Sequence, residues 1–150
     1  MVTKMTARAI SPLNHKADMA HGRVLLLTDN SEHAVTIRAV LESAGLAPIG
    51  VCTDPNTALR MVRDLRPDLV LAAVFFDGEP HGIELSRKIQ EDHGTPVIYL
   101  GEAEDPLLVL QIAMTQPVGL ISDPSDAVYL RAVVSRALRV GRPSPVAGPY

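Results

Sequence analysis

Five short apolar runs, each followed by a segment of helical periodicity, occupy the sequence from residue 23 to residue 139. RVLLLTD (23–29) leads into SEHAVTIRAVLESAGL, where Val35, Val40, Leu41 and Ala44 recur at helical spacing and Gly45 stops the pattern. APIGVC (47–52) is weaker. It precedes PNTALRMVRDLRP, which sets Ala58, Leu59, Met61, Val62 and Leu65 on one face before Pro67 ends it. LVLAAVFF (69–76) precedes GIELSRKIQEDHG, PVIYL (96–100) precedes DPLLVLQIAMTQ, and VGLIS (118–122) precedes SDAVYLRAVVSRALR. Strands this apolar must be covered on both faces, which parallel strands joined by helices achieve. Right-handed crossovers then predict an α/β fold. It is a doubly wound, five-stranded parallel sheet with helices on both faces, a three-layer sandwich.

A chain of 150 residues fits one domain with a single sizeable core. The expected folded unit spans 22–140, after a flexible N-terminal arm over 1–21 and before a disordered tail over 141–150, rich in proline and glycine. A net charge of −3 gives no global attraction for nucleic acid or an acidic membrane surface. Cys52 is alone, which excludes an internal disulfide framework and a cysteine-based zinc site. There is neither a membrane-length apolar run nor a secretory signal, so the expected location is cytoplasmic.

Function in such sheets collects at the carboxyl ends of the strands. Those ends carry Thr28 and Asp29, Thr53 and Asp54, Ala73 to Phe76, Gly101 and Glu102, and Ser122 and Asp123. The turn TDNSEH after the first strand is neither GxGxxG nor a P-loop, and no GxSxG elbow exists. His15, His21, His33, His81 and His93 lack metal-ligand spacing, so no metal and no cofactor is expected.

Across the folded span the sequence resembles the receiver domains of two-component response regulators, the CheY-like, flavodoxin-like family. The residues that carry the resemblance are RVLLLTDN, PDLVLAAVFFDGEPHGIEL, TPVIYLGEAED and VGLISDPSDAVYLRAVVSRAL. The resemblance implies a domain that accepts a phosphoryl group from a histidine kinase on an aspartate ending the third strand. Two acidic residues hold Mg²⁺, and a hydroxyl and a lysine hold the phosphate. Carried onto this chain, the acidic pair falls on Thr28 and Asp29, the phosphoacceptor on Ala73, the hydroxyl on Gly101 and the lysine on Asp123. The aromatic switch of the fifth strand falls on Leu120. The expectation is therefore a degenerate pseudo-receiver without catalytic residues, and not an enzyme. Asp29 is left vestigial, either capping the following helix or accepting backbone N–H bonds. Paired with Asp123 it makes a poor cation site. Asp77, in FFDGEP, reads as a turn residue and, alternatively, as a displaced phosphoacceptor.

What remains is surface. On the fourth helix Leu108, Val109 and Ile112 are expected to face the sheet, and Leu107, Leu110 and Met114 form a second, outer apolar stripe. Tyr129, Val133 and Arg136 of the fifth helix are expected to extend that stripe. In receivers the face of helix four, strand five and helix five binds dimers and output partners. The expected function is phosphorylation-independent signalling by protein–protein interaction within a two-component or phosphorelay pathway, with a homodimer as its simplest form. A tail covering the stripe is the plainer alternative. A second is a small-ligand sensor, for instance for a cyclic dinucleotide held by Arg131, Arg136, Arg139 and Arg142; a third is phosphotransfer through Asp77. The sequence stops soon after the fifth helix, so no DNA-binding output is expected.

Overall fold

A computed structural model describes residues 22–140. The arm over 1–21, the tail over 141–150 and Arg142 lie outside the described residues. The elements run β1 (Arg23–Leu27), α1 (Ser31–Ser43), β2 (Ala47–Cys52), α2 (Pro55–Leu65) and β3 (Leu69–Ala73). They continue with α3 (His81–His93), β4 (Val97–Leu100), α4 (Pro106–Met114), β5 (Gly119–Ile121) and α5 (Ala127–Val140). All five strands pair in parallel in the order β2-β1-β3-β4-β5. Among the described residues no helix is long and apolar enough to cross a membrane.

The continuous apolar runs have a physical cause. Side chains alternate across a strand, so a strand covered on both faces needs apolar residues at every position. Val24 and Leu26 enter one cluster with Ile37, Leu41, Leu130 and Val134, beneath α1 and α5. Their neighbours Leu25 and Leu27 enter the opposite cluster with Ala58, Val62, Leu85 and Ile89, beneath α2 and α3. A smaller third cluster of Val74, Ile83, Tyr99 and Ile112 holds α4.

Short-range signals set the helix starts. Asn30, Asp54 and Asp105 each accept a backbone N–H from their helix's first turn, and Pro55 and Pro106 follow two of these caps. At the far end of α2 the Arg23 guanidinium donates to the carbonyls of Leu65 and Arg66, at 2.7 and 2.6 Å.

Three expectations need correction. The strand expected over 69–76 ends at Ala73, because the chain turns back on itself between Phe76 and Glu79. Val74 and Phe76 stay buried under the helices, so burial outlasts the ladder. On α1 the inward residues are Ala34, Ile37, Val40 and Leu41, while Val35 is exposed. On α4 Ile112 is buried and Leu108 half-buried, but Val109, expected to face the sheet, is 49% exposed.

Candidate functional site

Parallel strands deliver their carboxyl ends to one rim. There Thr28 is buried, and its Oγ1 accepts the N–H of Asn30 at 3.1 Å. Asp29 does not cap α1, a role taken by Asn30. Instead its Oδ2 accepts the backbone N–H of Asp77 at 2.7 Å. Asp77 (φ 53) and Gly78 (φ 78) form a tight turn closed by reciprocal hydrogen bonds between Phe76 and Glu79, at 2.8 and 2.9 Å. Two positive φ values in succession are the reason for the Asp-Gly pair. Asp77 is a turn residue.

Ala73 closes β3 and is buried. Gly82 packs on it so tightly that a Cβ there would lie 1.7 Å from the Ala73 carbonyl oxygen, and the Gly82 N–H donates to Val74 at 3.0 Å. Gly101 follows β4 at φ 103, its N–H bound to the Ile121 carbonyl at 2.8 Å. Asp123 follows β5, and its Oδ1 accepts both the hydroxyl and the N–H of Ser125, at 2.6 and 3.0 Å. The hydroxyl bond, then the N–H bond, then the charge of His33 hold its carboxyl below the usual range. The carboxyl ends of β1, β3, β4 and β5 thus carry Thr28, Asp29, Ala73, Gly101 and Asp123, with the Asp77 turn tied to them through Asp29. Asp29 and Asp123 each bind protein groups of their own. Among the described residues no group of three or more His, Cys, Asp or Glu is placed to hold a metal ion. The lysine in the described part, Lys88, lies on α3.

The outer surface divides more sharply than the sequence suggests. Leu107, Leu110 and Met114 are exposed, at 59%, 56% and 73%. Yet Met114 borders a groove of about 390 Å³ toward α3, with Gln111, Ile83 and Glu84. The flank toward β5 carries Val109, Ile112 and Ala113, which line a cleft of about 300 Å³ with Pro117 and Leu120. Tyr129 joins that second flank, its hydroxyl donating to the Leu120 carbonyl at 3.3 Å. Val133, expected to extend the outer stripe, faces inward: it packs on the core, and its Cγ1 lies 2.8 Å from where a Cβ on Gly119 would be. Arg131, Arg136 and Arg139 are exposed along α5.

The family model for the response regulator receiver domain matches residues 24–135, well over half of the chain. The chain belongs to the response regulator receiver domain family. The receiver's relatives include the DNA-binding response regulator MtrA of Mycobacterium tuberculosis (strain ATCC 25618 / H37Rv), 33% identical over 93 residues, or 62% of this chain and 40% of that protein. A protein-glutamate methylesterase/protein-glutamine glutaminase of Hahella chejuensis is 27% identical over 118 residues, 75% of this chain and 34% of its own length. The receiver therefore spans well under half the length of these relatives. Among solved structures, the signal receiver domain of a modulated diguanylate cyclase from Desulfovibrio desulfuricans G20 superimposes with a TM-score of 0.72 at 27% identity, covering 78% of this chain and 93% of that one. The receiver domain of a histidine kinase from Syntrophus aciditrophicus gives 0.70 at 26% identity, covering 86% and 99%.

Two contacts of this receiver escaped the sequence reading. One is the Gly82–Ala73 approach, for which the G of GIEL was the available signal. The other is the buried Tyr99 hydroxyl on Thr115 Oγ1 at 2.8 Å, which fastens the C-terminal end of α4 and leaves no periodic trace.

Proposed function

We propose that this receiver signals without aspartyl phosphate, as a pseudo-receiver that acts by protein–protein contact. The observation that carries the reading is the rim itself. Ala73 stands where the family resemblance puts the phosphoacceptor, and the carboxylate of Asp29 is held by the Asp77 N–H at 2.7 Å. Asp123, a carboxylate held in its charged form, stands where a lysine would meet the phosphate. Repulsion there opposes a phosphoryl group. Asp77 as a substitute acceptor would face the same acidic surroundings.

Incubation with acetyl phosphate and Mg²⁺, followed by intact-mass spectrometry, tests the reading. No added phosphoryl mass is expected. A modification that disappears in Asp77→Asn would overturn the reading and establish Asp77 as the acceptor.

The homodimer belongs to the same proposal, on the flank of α4 that faces β5. Val109, Leu120 and Tyr129, at 49%, 47% and 49% exposure, make a joined apolar surface with Leu110 on its crest. Leu120→Glu is expected to lower the sedimentation coefficient to that of a monomer; an unchanged value sinks the dimer assignment.

A further inference from the structure

We infer that the cleft between α4 and β5 is a binding site for a small arylalkylamine, an aromatic ring carrying an ammonium group on a short chain. The site belongs to a single chain and does not rest on the contact-based reading above.

The cleft encloses about 300 Å³, at the lower end of the range for small-molecule sites. One wall is α4, through Val109, Ile112 and Ala113; the other is Pro117, just before β5, and Leu120 within it. Val109 and Leu120 stay half exposed on these opposite walls. A body that slides between them removes both from water at once, and a flat ring has the shape for it. The space exists because the residues at the rim end are small. Gly101 has no side chain, and a Cβ there would meet nothing within 4 Å. Ala103 and Ser122 line the same end.

The polar groups sit at one end of the slot. Along β5 the chain runs from Pro117, the apolar end, to Ser122 at the rim, where Glu102 also lies. Glu102 is the one charged residue that lines the cleft. Its carboxylate makes no ion pair among the described residues, and the Ser122 hydroxyl makes no hydrogen bond among them. A ligand whose ring lies against Pro117 and Leu120 therefore presents its other end to an unpaired carboxylate and an unpaired hydroxyl. An ammonium group donates to both. A carboxylate or phosphate in that place is repelled. The larger groove toward α3 makes no such selection, because its Glu84 and Glu91 are already paired with Arg87.

The probe is tryptamine, with indolepropionate and butylamine as controls. The chain contains no tryptophan, so indole fluorescence reports the ligand alone. Anisotropy is followed on the full chain at low and at physiological salt, and proton–nitrogen spectra locate each bound compound. A second copy on this flank of α4 would lie over the mouth, so the titration is made at a concentration where sedimentation shows a monomer. Tryptamine is expected to bind about fivefold tighter than indolepropionate at low salt, the preference shrinking as salt rises, and butylamine not to saturate. Spectral shifts should concentrate on Gly101, Val109, Ala113 and Leu120. Glu102→Gln should bring the two indoles to within about twofold of each other. Ala113→Phe fills the slot from an exposed position and should weaken tryptamine about tenfold or more.

Equal binding of tryptamine and indolepropionate by the native chain, shifts that map outside the cleft, or no saturable binding overturns the inference. So does full tryptamine affinity in Ala113→Phe. Should circular dichroism show that variant misfolded, the ligand comparison and shift map on the native chain decide. The pseudo-receiver reading survives each of those results and fails only on a phosphorylated product.

Discussion

The backbone N–H of Asp77 donates to Oδ2 of Asp29 across 2.7 Å, tying the turn after β3 to the end of β1. A charged acceptor makes this a stronger bond than one between neutral groups. Asp29→Ala is expected to cost about 1 kcal/mol in urea unfolding and to speed hydrogen exchange at the Asp77 amide. Asp29→Asn, which keeps an acceptor oxygen, should cost less. An unchanged Asp77 exchange rate in Asp29→Ala would mean the tether does not order the turn.

Gly82 tolerates no side chain, because a Cβ would sit 1.7 Å from the Ala73 carbonyl oxygen and 2.9 Å from that of Val74. The clash is with backbone, so α3 must move off β3. Gly82→Ala is expected to destabilise by about 3 kcal/mol or to prevent folding. Gly45→Ala meets nothing within 4 Å and is strained only by its φ of 80. It should cost about 1 kcal/mol. Thermal melts of the two variants side by side check the contrast.

The Ser86 hydroxyl is fully buried on α3 without a hydrogen-bond partner. Its desolvation is uncompensated, so Ser86→Ala is expected to be neutral or to stabilise by up to about 1 kcal/mol. A midpoint shift in guanidinium unfolding measures it; a clear loss of stability would show that the hydroxyl is satisfied in solution.

Tyr99 fastens α4 from below. Its hydroxyl bonds Thr115 Oγ1 at 2.8 Å, and that hydroxyl in turn donates to the Ile112 carbonyl at 2.7 Å. Tyr99→Phe keeps the buried ring and loses the bond, at a cost of about 1 kcal/mol. The faster amide exchange that follows should concentrate in α4, and a uniform increase across the sheet would refute the local role.

Asp123 titrates low because Ser125 donates to it twice, with the charge of His33 adding to the effect. A carboxylate depressed in the folded state stabilises the fold above its unfolded pKa and loses that contribution as pH falls through the folded pKa. The contribution is intact at neutral pH and disappears in acid below about pH 4. In Ser125→Ala the carbon-13 titration midpoint of the Asp123 carboxyl should rise toward the ordinary value of about 3.9. A midpoint that does not move would remove Ser125 as the cause.

The five strands and five helices were legible because both periodicities were strong, and the all-apolar strands announced cover on both faces. The same runs blurred the strand ends. FF after LVLAAV reads as strand, although Phe76 is buried by a turn that brings it opposite Glu79. Single helical positions suffered likewise. In LLVL every choice of inward face is apolar, so Val109 and Leu108 could not be ranked until β4 and α3 met the helix at Tyr99 and Ile83. Val133 was misplaced for the converse reason, since only the space beside Gly119 shows that it turns inward.

The sequence by itself determined the layered α/β architecture, the family, and the identity of the rim residues. Local periodicity and short motifs depend on neighbours in the chain, and a parallel sheet brings all its carboxyl ends to one edge. Tertiary structure alone decided what others do there: Asp29 holding the Asp77 turn, and α4 dividing its apolar surface between two flanks. Such contacts join residues far apart in sequence, or depend on a rotation of the helix that its own composition leaves open.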